Sequence, residues 1–428
     1  VRRRWAVACS SPFWDSISSA GAVPGWPDPA LQEASIVDRF AGYRRLRRRL
    51  ASAARRGMLD LLFRERPGTP AIDFSGYDYL ALAAHPAVRA AAKAAIDRYG
   101  TSVSASRIVS GQIGLHAELE RRLATFLGTA DCLVLVSGYL TNVTVIDHLF
   151  GVPDLVVHDT GAHNSILTGA RLSGATQLCY PCQDWEALDR LVGPVRPRHR
   201  RGLLVAEGLY SMDGLVLDLA AARAACQRHD LLLMVDEAHS LGTLGATGRG
   251  IVEHAALPGT TVDIRMGTLS KALASCGGYL AGDAGLIEYL RYLAPGFIFS
   301  VGLPPADTAA ALAALDVLER EPERAAELQE RILLFRRLAD AHGLPLAGDP
   351  GSPIASLVVG NPEACMALAG ELATLGVHVP PVLPPAVPAD AARLRFFVTL
   401  HHQPAQLARA VEQLARAWRS RPHLARAA

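Results

Sequence analysis

Lysine is almost missing from this chain. Of the 43 basic residues among 428, only Lys93 and Lys271 are lysines, and arginine supplies all the others. Arginine stays protonated, so a lysine kept against such a bias suits a task that needs a neutral amine, such as Schiff-base formation. Lys93 lies in Ala-rich helical sequence (88–98) and reads as a solvated surface charge. Lys271 stands among small and hydroxylated residues and is the one to follow.

A charge imbalance is missing too. The 43 basic and 41 acidic residues leave +2, which gives no electrostatic reason to expect nucleic acid or an anionic membrane as partner. No apolar run reaches the roughly 18 residues of a membrane span. The apolar patch at residues 5–9 is shorter than the about 7–15 residues of a secretory signal, so none is read. A paired cysteine framework is also lacking: seven cysteines, an odd number, are scattered along the chain. That pattern points to reduced thiols in a cytoplasm. Cys179-Tyr180-Pro181-Cys182 has the spacing of a redox or zinc half-site but no second pair, so no metal is expected.

What is present is apolar. Half of the residues are hydrophobic and 20% are charged, which excludes wholesale disorder and implies a substantial core. At about 100–200 residues per domain, the length implies two or three domains. Residues 1–35 carry Ser, Pro, Gly and Trp without periodicity and read as an extension. Residues 36–98 form a helical and short-strand segment, in which Phe40, Tyr43, Leu46 and Leu50 have helical spacing. Residues 99–303 alternate short apolar runs with amphipathic stretches, as βα units do. Candidate strands cover 132–137, 155–158, 203–207, 231–236, 263–267 and 278–281, with a helix at Leu219–His229. The run Leu231-Leu232-Leu233-Met234-Val235 is apolar on both faces, as a buried parallel strand must be. From 304 to 428 the texture becomes α+β: long helices over 306–342, strands at 354–359 and 393–400, and a closing helix at Pro404–Arg419. The fold class expected is α/β with a mostly parallel central sheet and a smaller C-terminal α+β domain.

Ligands of open parallel sheets bind beyond the carboxyl ends of the strands. Four candidate strands end in chemistry-bearing residues. Ser137-Gly138-Tyr139 opens a helix whose first amides suit an anion. His163 follows a second strand end. Asp236 ends a buried strand, where a carboxylate needs a cationic partner, and His239 follows three positions later. Thr268 and Ser270 precede Lys271, placed to touch a phosphate. Taken singly, each has a bland reading: a helix cap, a loop histidine, an ion-paired lysine. Together they suit pyridoxal phosphate, which needs a lysine, a carboxylate for its ring nitrogen and a phosphate cup. Glycine-rich helix start, histidine, aspartate, then lysine 35 positions later is the order of the fold-type I enzymes.

The sequence resembles the α-oxoamine synthases from about Asp73 to Trp418. The segments that carry the resemblance are Asp78-Tyr79-Leu80, Ser106-Arg107 with Gly111, Glu207-Gly208 with Ser211-Met212-Asp213-Gly214, and Asp236-Glu237-Ala238-His239-Ser240. Most specific are Gly267-Thr268-Leu269-Ser270-Lys271-Ala272-Leu273 and Ser275-Cys276-Gly277-Gly278-Tyr279. The resemblance implies a homodimeric, pyridoxal-phosphate-dependent acyltransferase of a specialised or biotin-type pathway. Such an enzyme condenses a small amino acid with an acyl thioester, of coenzyme A or a carrier protein, and releases carbon dioxide. It implies that Lys271 bonds the cofactor and serves as base, that Asp236 pairs with the ring nitrogen, that His239 bonds the phenolic oxygen and that His163 stacks on the ring. Ser137, Gly138, Tyr139 and Thr268 would hold the phosphate, with Glu207 and Ser211 near cofactor and substrate. Arg395 would take the amino-acid carboxylate, a task suited to a planar guanidinium, and Arg107 would assist at the substrate. Three departures stand out. Tyr77 replaces the family asparagine, and its bulk implies alanine or glycine ahead of serine. Thr101-Ser102-Val103-Ser104-Ala105 replaces a glycine-rich segment. Only Ser300 is left of the Ser/Thr run that reaches the partner subunit's phosphate. Another fold-type I activity, an aminotransferase or lyase, and a non-catalytic binding module are the alternatives.

Overall fold

The computed structural model describes residues 71–384, 386–388 and 390–421. The expectations for residues 1–35 and for the helix through Phe40 and Leu50 lie outside them. The described elements belong to the compact unit Ile72–Ala428. After a short strand, β1 (Ile72–Asp73), seven strands build the central sheet: β2 (Asp131–Leu135), β3 (Leu155–Asp159), β4 (Thr176–Tyr180), β5 (Gly202–Glu207), β6 (Leu232–Asp236), β7 (Ile264–Thr268) and β8 (Gly278–Gly282). Their spatial order is β2-β8-β7-β6-β5-β3-β4. Only β8 runs against its neighbours; the pairs β7–β6, β6–β5, β5–β3 and β3–β4 are parallel.

The sheet forms where the sequence offers runs apolar on both faces. β3, β5 and β7 are buried along their whole length, so helices must cover both faces. Met234, Met266, Leu203, Val205 and Leu280 from the strands pack with Val145, Ile146 and Ile166 from the helices Gly138–Leu149 and Asn164–Ser173. Burial of each such side chain contributes about 1.5–3 kcal/mol. One consequence is functional: the carboxyl ends of β2, β3, β5, β6 and β7 open along one edge of a rigid layer.

The C-terminal part carries a second sheet of β9 (Leu346–Ala347), β10 (Ile354–Gly360), β12 (Pro381–Val382) and β13 (Ala392–Phe397), antiparallel throughout and ordered β12-β13-β10-β9. β11 (Val377–His378) pairs instead with β1, in parallel. The helices expected over 306–342 are two, Pro305–Arg320 and Glu323–Ala341, separated at Glu321 and Pro322. Proline removes an amide donor and disfavours helical backbone before it, so the chain restarts there. β4 was not expected: Thr176-Gln177-Leu178-Cys179-Tyr180 is an edge strand with a mostly exposed burial pattern, and it lacks an apolar run. Cys179 is thereby exposed on an edge strand, with Cys182 just beyond it, both as free thiols. No helix among the described residues is long and apolar enough to cross a membrane.

Candidate active site

Beyond the strand ends lies a cavity of ≈ 420 Å³. Its wall includes Tyr77, Ser137, Gly138, Tyr139, His163, Glu207, Ser211, Asp236, His239, Thr268, Lys271 and Arg395, so residues spread over more than 300 positions converge on one space.

One end is shaped for an anion. Ser137 caps the helix Gly138–Leu149, its hydroxyl accepting from Leu140 N, and the first amides of that helix face the cavity. Thr268 Oγ1 lies 2.7 Å from Ser270 Oγ and donates to Gly277 O at 2.9 Å. A Cβ added at Gly138 would sit 3.1 Å from both Thr268 Cβ and Thr268 Oγ1. Glycine is what lets the helix start approach the β7 end closely enough to form the cup.

The centre is titratable. Lys271 is half-buried, and burial pulls its ammonium down to about 8, opposed chiefly by the Asp236 carboxylate. A minor share of the amine is therefore neutral near neutral pH, far more than an ordinary lysine offers, as a nucleophile or base requires. Asp236 accepts from Asn142 Nδ2 at 2.7 Å and from Ala238 N at 2.9 Å. The second hydrogen of Asn142 Nδ2 goes to Ser165 Oγ at 2.9 Å, and Ser165 Oγ lies 2.7 Å from His163 Nδ1. With the amide nitrogen fixed by the Asp236 carboxylate, the Ser165 hydroxyl donates onward to His163. Burial lowers His163, so its ring is a neutral plate aligned by this chain.

His239 is lowered more strongly, by burial first and then by Lys271, Arg395 and His163. Its Nδ1 meets the Tyr79 hydroxyl at 2.7 Å, and its ring lies parallel to Phe397 at 6.2 Å. Burial holds Tyr79 protonated, so the hydroxyl donates to Nδ1 and leaves the ring proton on Nε2 as a donor.

At the far end, Arg395 donates to Ser211 O at 2.9 Å and lies over the Phe397 ring at 4.7 Å. Its buried Nε has no partner, while the neighbouring Arg393, not Arg395, takes Asp213. A planar fork left open inside a cavity is a carboxylate receptor. Tyr77 stands beside Lys271, whose Nζ lies 5.9 Å from the ring centroid, and packs edge-on to Phe397.

Two expected residues are not brought here. Arg107 is buried away from the cavity, where Glu120 takes Nη1 at 2.5 Å and Nη2 at 3.0 Å, and Gln112 takes Nε at 2.7 Å. A guanidinium so fully engaged has no fork to offer a substrate, and the assignment of Arg107 to substrate binding is corrected to a structural pair. Ser300 lies outside the cavity wall of its own chain. Sequence reasoning in turn missed Asn142, Ser165, Tyr79 and Phe397 as site residues. The only available signal was helical spacing, which sets Asn142 one turn into the helix from Gly138.

The residues present fit pyridoxal phosphate. An amide-and-hydroxyl cup, a strand-end carboxylate, a neutral histidine plate and a depressed lysine surround the space, and Asn142 Oδ1 and Glu207 Oε1 are buried there without partners. Residues 69–414 match the family model "Aminotransferase class I and II". The chain is 42% identical over 347 residues to 8-amino-7-oxononanoate synthase of Methylocella silvestris, covering 81% of this chain and 97% of that one. Among solved structures it matches serine palmitoyltransferase with pyridoxal phosphate at 28% identity and TM-score 0.84, over 90% of this chain and 99% of that one. The 8-amino-7-oxononanoate synthase of Francisella tularensis matches at 26% identity and TM-score 0.70, over 82% and 99%.

Proposed function

Because the chain belongs to the α-oxoamine synthases, within the class I and II aminotransferase family, we propose that its cavity joins alanine, or glycine, to an acyl thioester through the residues named above. The protein is a pyridoxal-phosphate-dependent acyltransferase, and its reaction is the decarboxylative condensation of an amino acid with an acyl thioester. The observation that carries the residue assignments is Arg395, whose buried Nε has no partner, in the same cavity as Lys271 and Asp236.

When bound, the cofactor supplies an electron-withdrawing ring that stabilises negative charge at the amino-acid Cα. Ser137, Gly138, Tyr139 and Thr268 would hold its phosphate, and the Asp236 carboxylate would keep its ring nitrogen protonated. His239 would donate to it from Nε2, and His163 would pack against its ring. Arg395 fixes the amino-acid carboxylate at both oxygens, which orients Cα toward Lys271. Lys271 Nζ, neutral in part because burial lowers it to about 8, takes the Cα proton and holds it for return to the product.

Relatives named for 8-amino-7-oxononanoate support alanine as the amino acid and a biotin-type pathway, and Tyr77 narrows the pocket in the same direction. The acyl group arrives on coenzyme A or a carrier protein. Exposed Ile108, Val109, Phe299 and Val301 gather where Ser106 pairs with Val301, which supports a homodimer in which Ser300 reaches the partner's phosphate cup. Scattered cysteines, free in the described residues, favour a reducing cytoplasm. The test is product analysis with alanine, glycine and serine, each with an acyl thioester. Amino ketone and carbon dioxide in equal amounts, alanine leading, is expected; a transaminated oxo acid instead overturns the reading. Tyr77→Asn is expected to raise serine relative to alanine, within the about 1–3 kcal/mol that pocket bulk discriminates. Unchanged ranking removes Tyr77 from amino-acid selection.

A further inference from the structure

Glu207 ends β5 and Asp236 ends β6, and the two are register partners on adjacent parallel strands. Two carboxyls at neighbouring strand ends in a desolvated cavity do not both ionise readily. Their surroundings divide the roles. Asp236 accepts two hydrogen bonds at 2.7 and 2.9 Å, one on each carboxyl oxygen. Glu207 is 3% exposed and receives one long N–H, from Ser211 at 3.3 Å on Oε2. Its Oε1 is buried with no partner, in a side chain that lines the cavity. Protonation lowers the cost of that burial, because a neutral carboxyl is far cheaper to desolvate than a carboxylate, and it turns one oxygen into a donor for a ligand.

The groups that face Glu207 pull both ways, and burial decides. Burial, then the Asp236 carboxylate on β6 and Asp159 on β3, push its carboxyl well above the ordinary range, while Lys271 from the loop after β7 opposes them. Arg395 on β13 and Cys182 beyond β4 complete the set.

We propose that Glu207 stands as a neutral carboxylic acid that donates a hydrogen bond to an oxygen of the bound substrates. The proposal rests on the reaction given above and deepens it. Two substrate oxygens share the required chemistry: the amino-acid carboxylate held by Arg395, and the thioester carbonyl, which gains negative charge as the carbon–carbon bond forms. A fixed donor stabilises such charge without reorganising. Glu207 keeps its proton throughout.

Two variants test it. Glu207→Gln leaves an amide donor in the same shape, and Glu207→Ala removes the donor. The first readout is the stability of the cofactor-free protein as a function of pH. A carboxyl whose folded value is raised confers stability that is full below the unfolded value near 4.5. That stability is lost as pH rises through the folded value, with the folding constant falling about tenfold per pH unit for one proton. Wild-type protein is expected to show this slope and the glutamine variant to lack it. The second readout is alanine affinity, followed by the cofactor spectrum, beside turnover with thioester. The alanine variant is expected to lose about 10- to 100-fold and the glutamine variant about threefold. Loss in alanine affinity assigns the acceptor to the carboxylate; loss in turnover alone assigns it to the thioester. Equal pH slopes in wild type and Glu207→Gln, or equal impairment of the two variants, overturn the proposal. A wild-type chain with the slope but no amino ketone from any substrate pair overturns the reaction reading and leaves the proton on Glu207.

Discussion

Asp236 and Glu237 are neighbours in the chain and both buried, yet their surroundings are opposite in kind. Side chains alternate along a strand, so Asp236 faces the cavity while Glu237 turns to the other face. There Glu237 meets Arg265 of β7: Nε donates to Oε1 at 2.6 Å, and Ile251 N and Ser240 Oγ donate to Oε2 at 2.9 and 3.1 Å. Arg265, 1% exposed, also donates from Nη1 to Leu127 O and from Nη2 to Arg249 O at 2.7 and 3.0 Å. On the cavity side, Glu207 Oε1, Asn142 Oδ1 and Arg395 Nε are left without partners. Buried charge that holds the fold is closed by the protein itself, whereas buried charge that does chemistry is left for the ligand to close.

The sharpest way to break this contrast is to remove one cation from each cluster. Arg265→Met strands the Glu237 carboxylate and is expected to cost about 3–5 kcal/mol in denaturant unfolding. Replacing Glu237 by leucine as well should recover only part of that, because Ile251 N and Ser240 Oγ then lose their acceptor. Arg395→Met removes a buried charge that has no carboxylate partner, so its cost should stay under about 1 kcal/mol while amino-acid affinity collapses. Equal destabilisation by the two variants would show that Arg395 is as structural as Arg265.

Within the open cluster, Asp236→Asn is the next test. The amide keeps the shape and still receives the Ala238 N–H, so the chain should fold and hold cofactor. Loss of the preorganised charge is expected to lower turnover by about 10²–10³. Near wild-type turnover would mean that another group serves the ring nitrogen.

The same contrast explains what the sequence disclosed. The open cluster announces itself locally: a scarce lysine, an aspartate closing an apolar run, and glycines at a helix start all sit at strand ends. The strands flanking them, β3, β5, β6 and β7, are legible because they are apolar on both faces. Closed pairs are different. Arg107 finds Glu120 across a turn and two elements, and nothing in Ser106-Arg107 says that its fork points inward. Tyr79 and Phe397 meet His239 from segments 160 and 158 positions away, contacts that only the tertiary fold creates. β4 escaped because an exposed edge strand needs no apolar run, and the reversal of β8 is a property of the sheet rather than of Gly278-Tyr279-Leu280-Ala281.

The smallest expected effect concerns the turn that carries Lys271. Ala274 has φ 50°, in the left-handed region, and its N–H donates to Lys271 O at 3.0 Å, closing the turn behind the lysine. An L-residue there is strained by roughly 1–2 kcal/mol relative to glycine. Ala274→Gly relieves the strain but adds about 0.4–1 kcal/mol of unfolded-state entropy, and the half-buried methyl contributes little packing. The net expectation is a gain of about 0.5–1 kcal/mol in denaturant unfolding. Turnover separates two uses of the strain. If the turn hydrogen bond alone positions Lys271, the glycine variant keeps its rate. Should the rate fall while stability rises, the strained alanine is itself part of how the lysine is aimed, and the open cluster extends one turn further than its side chains show.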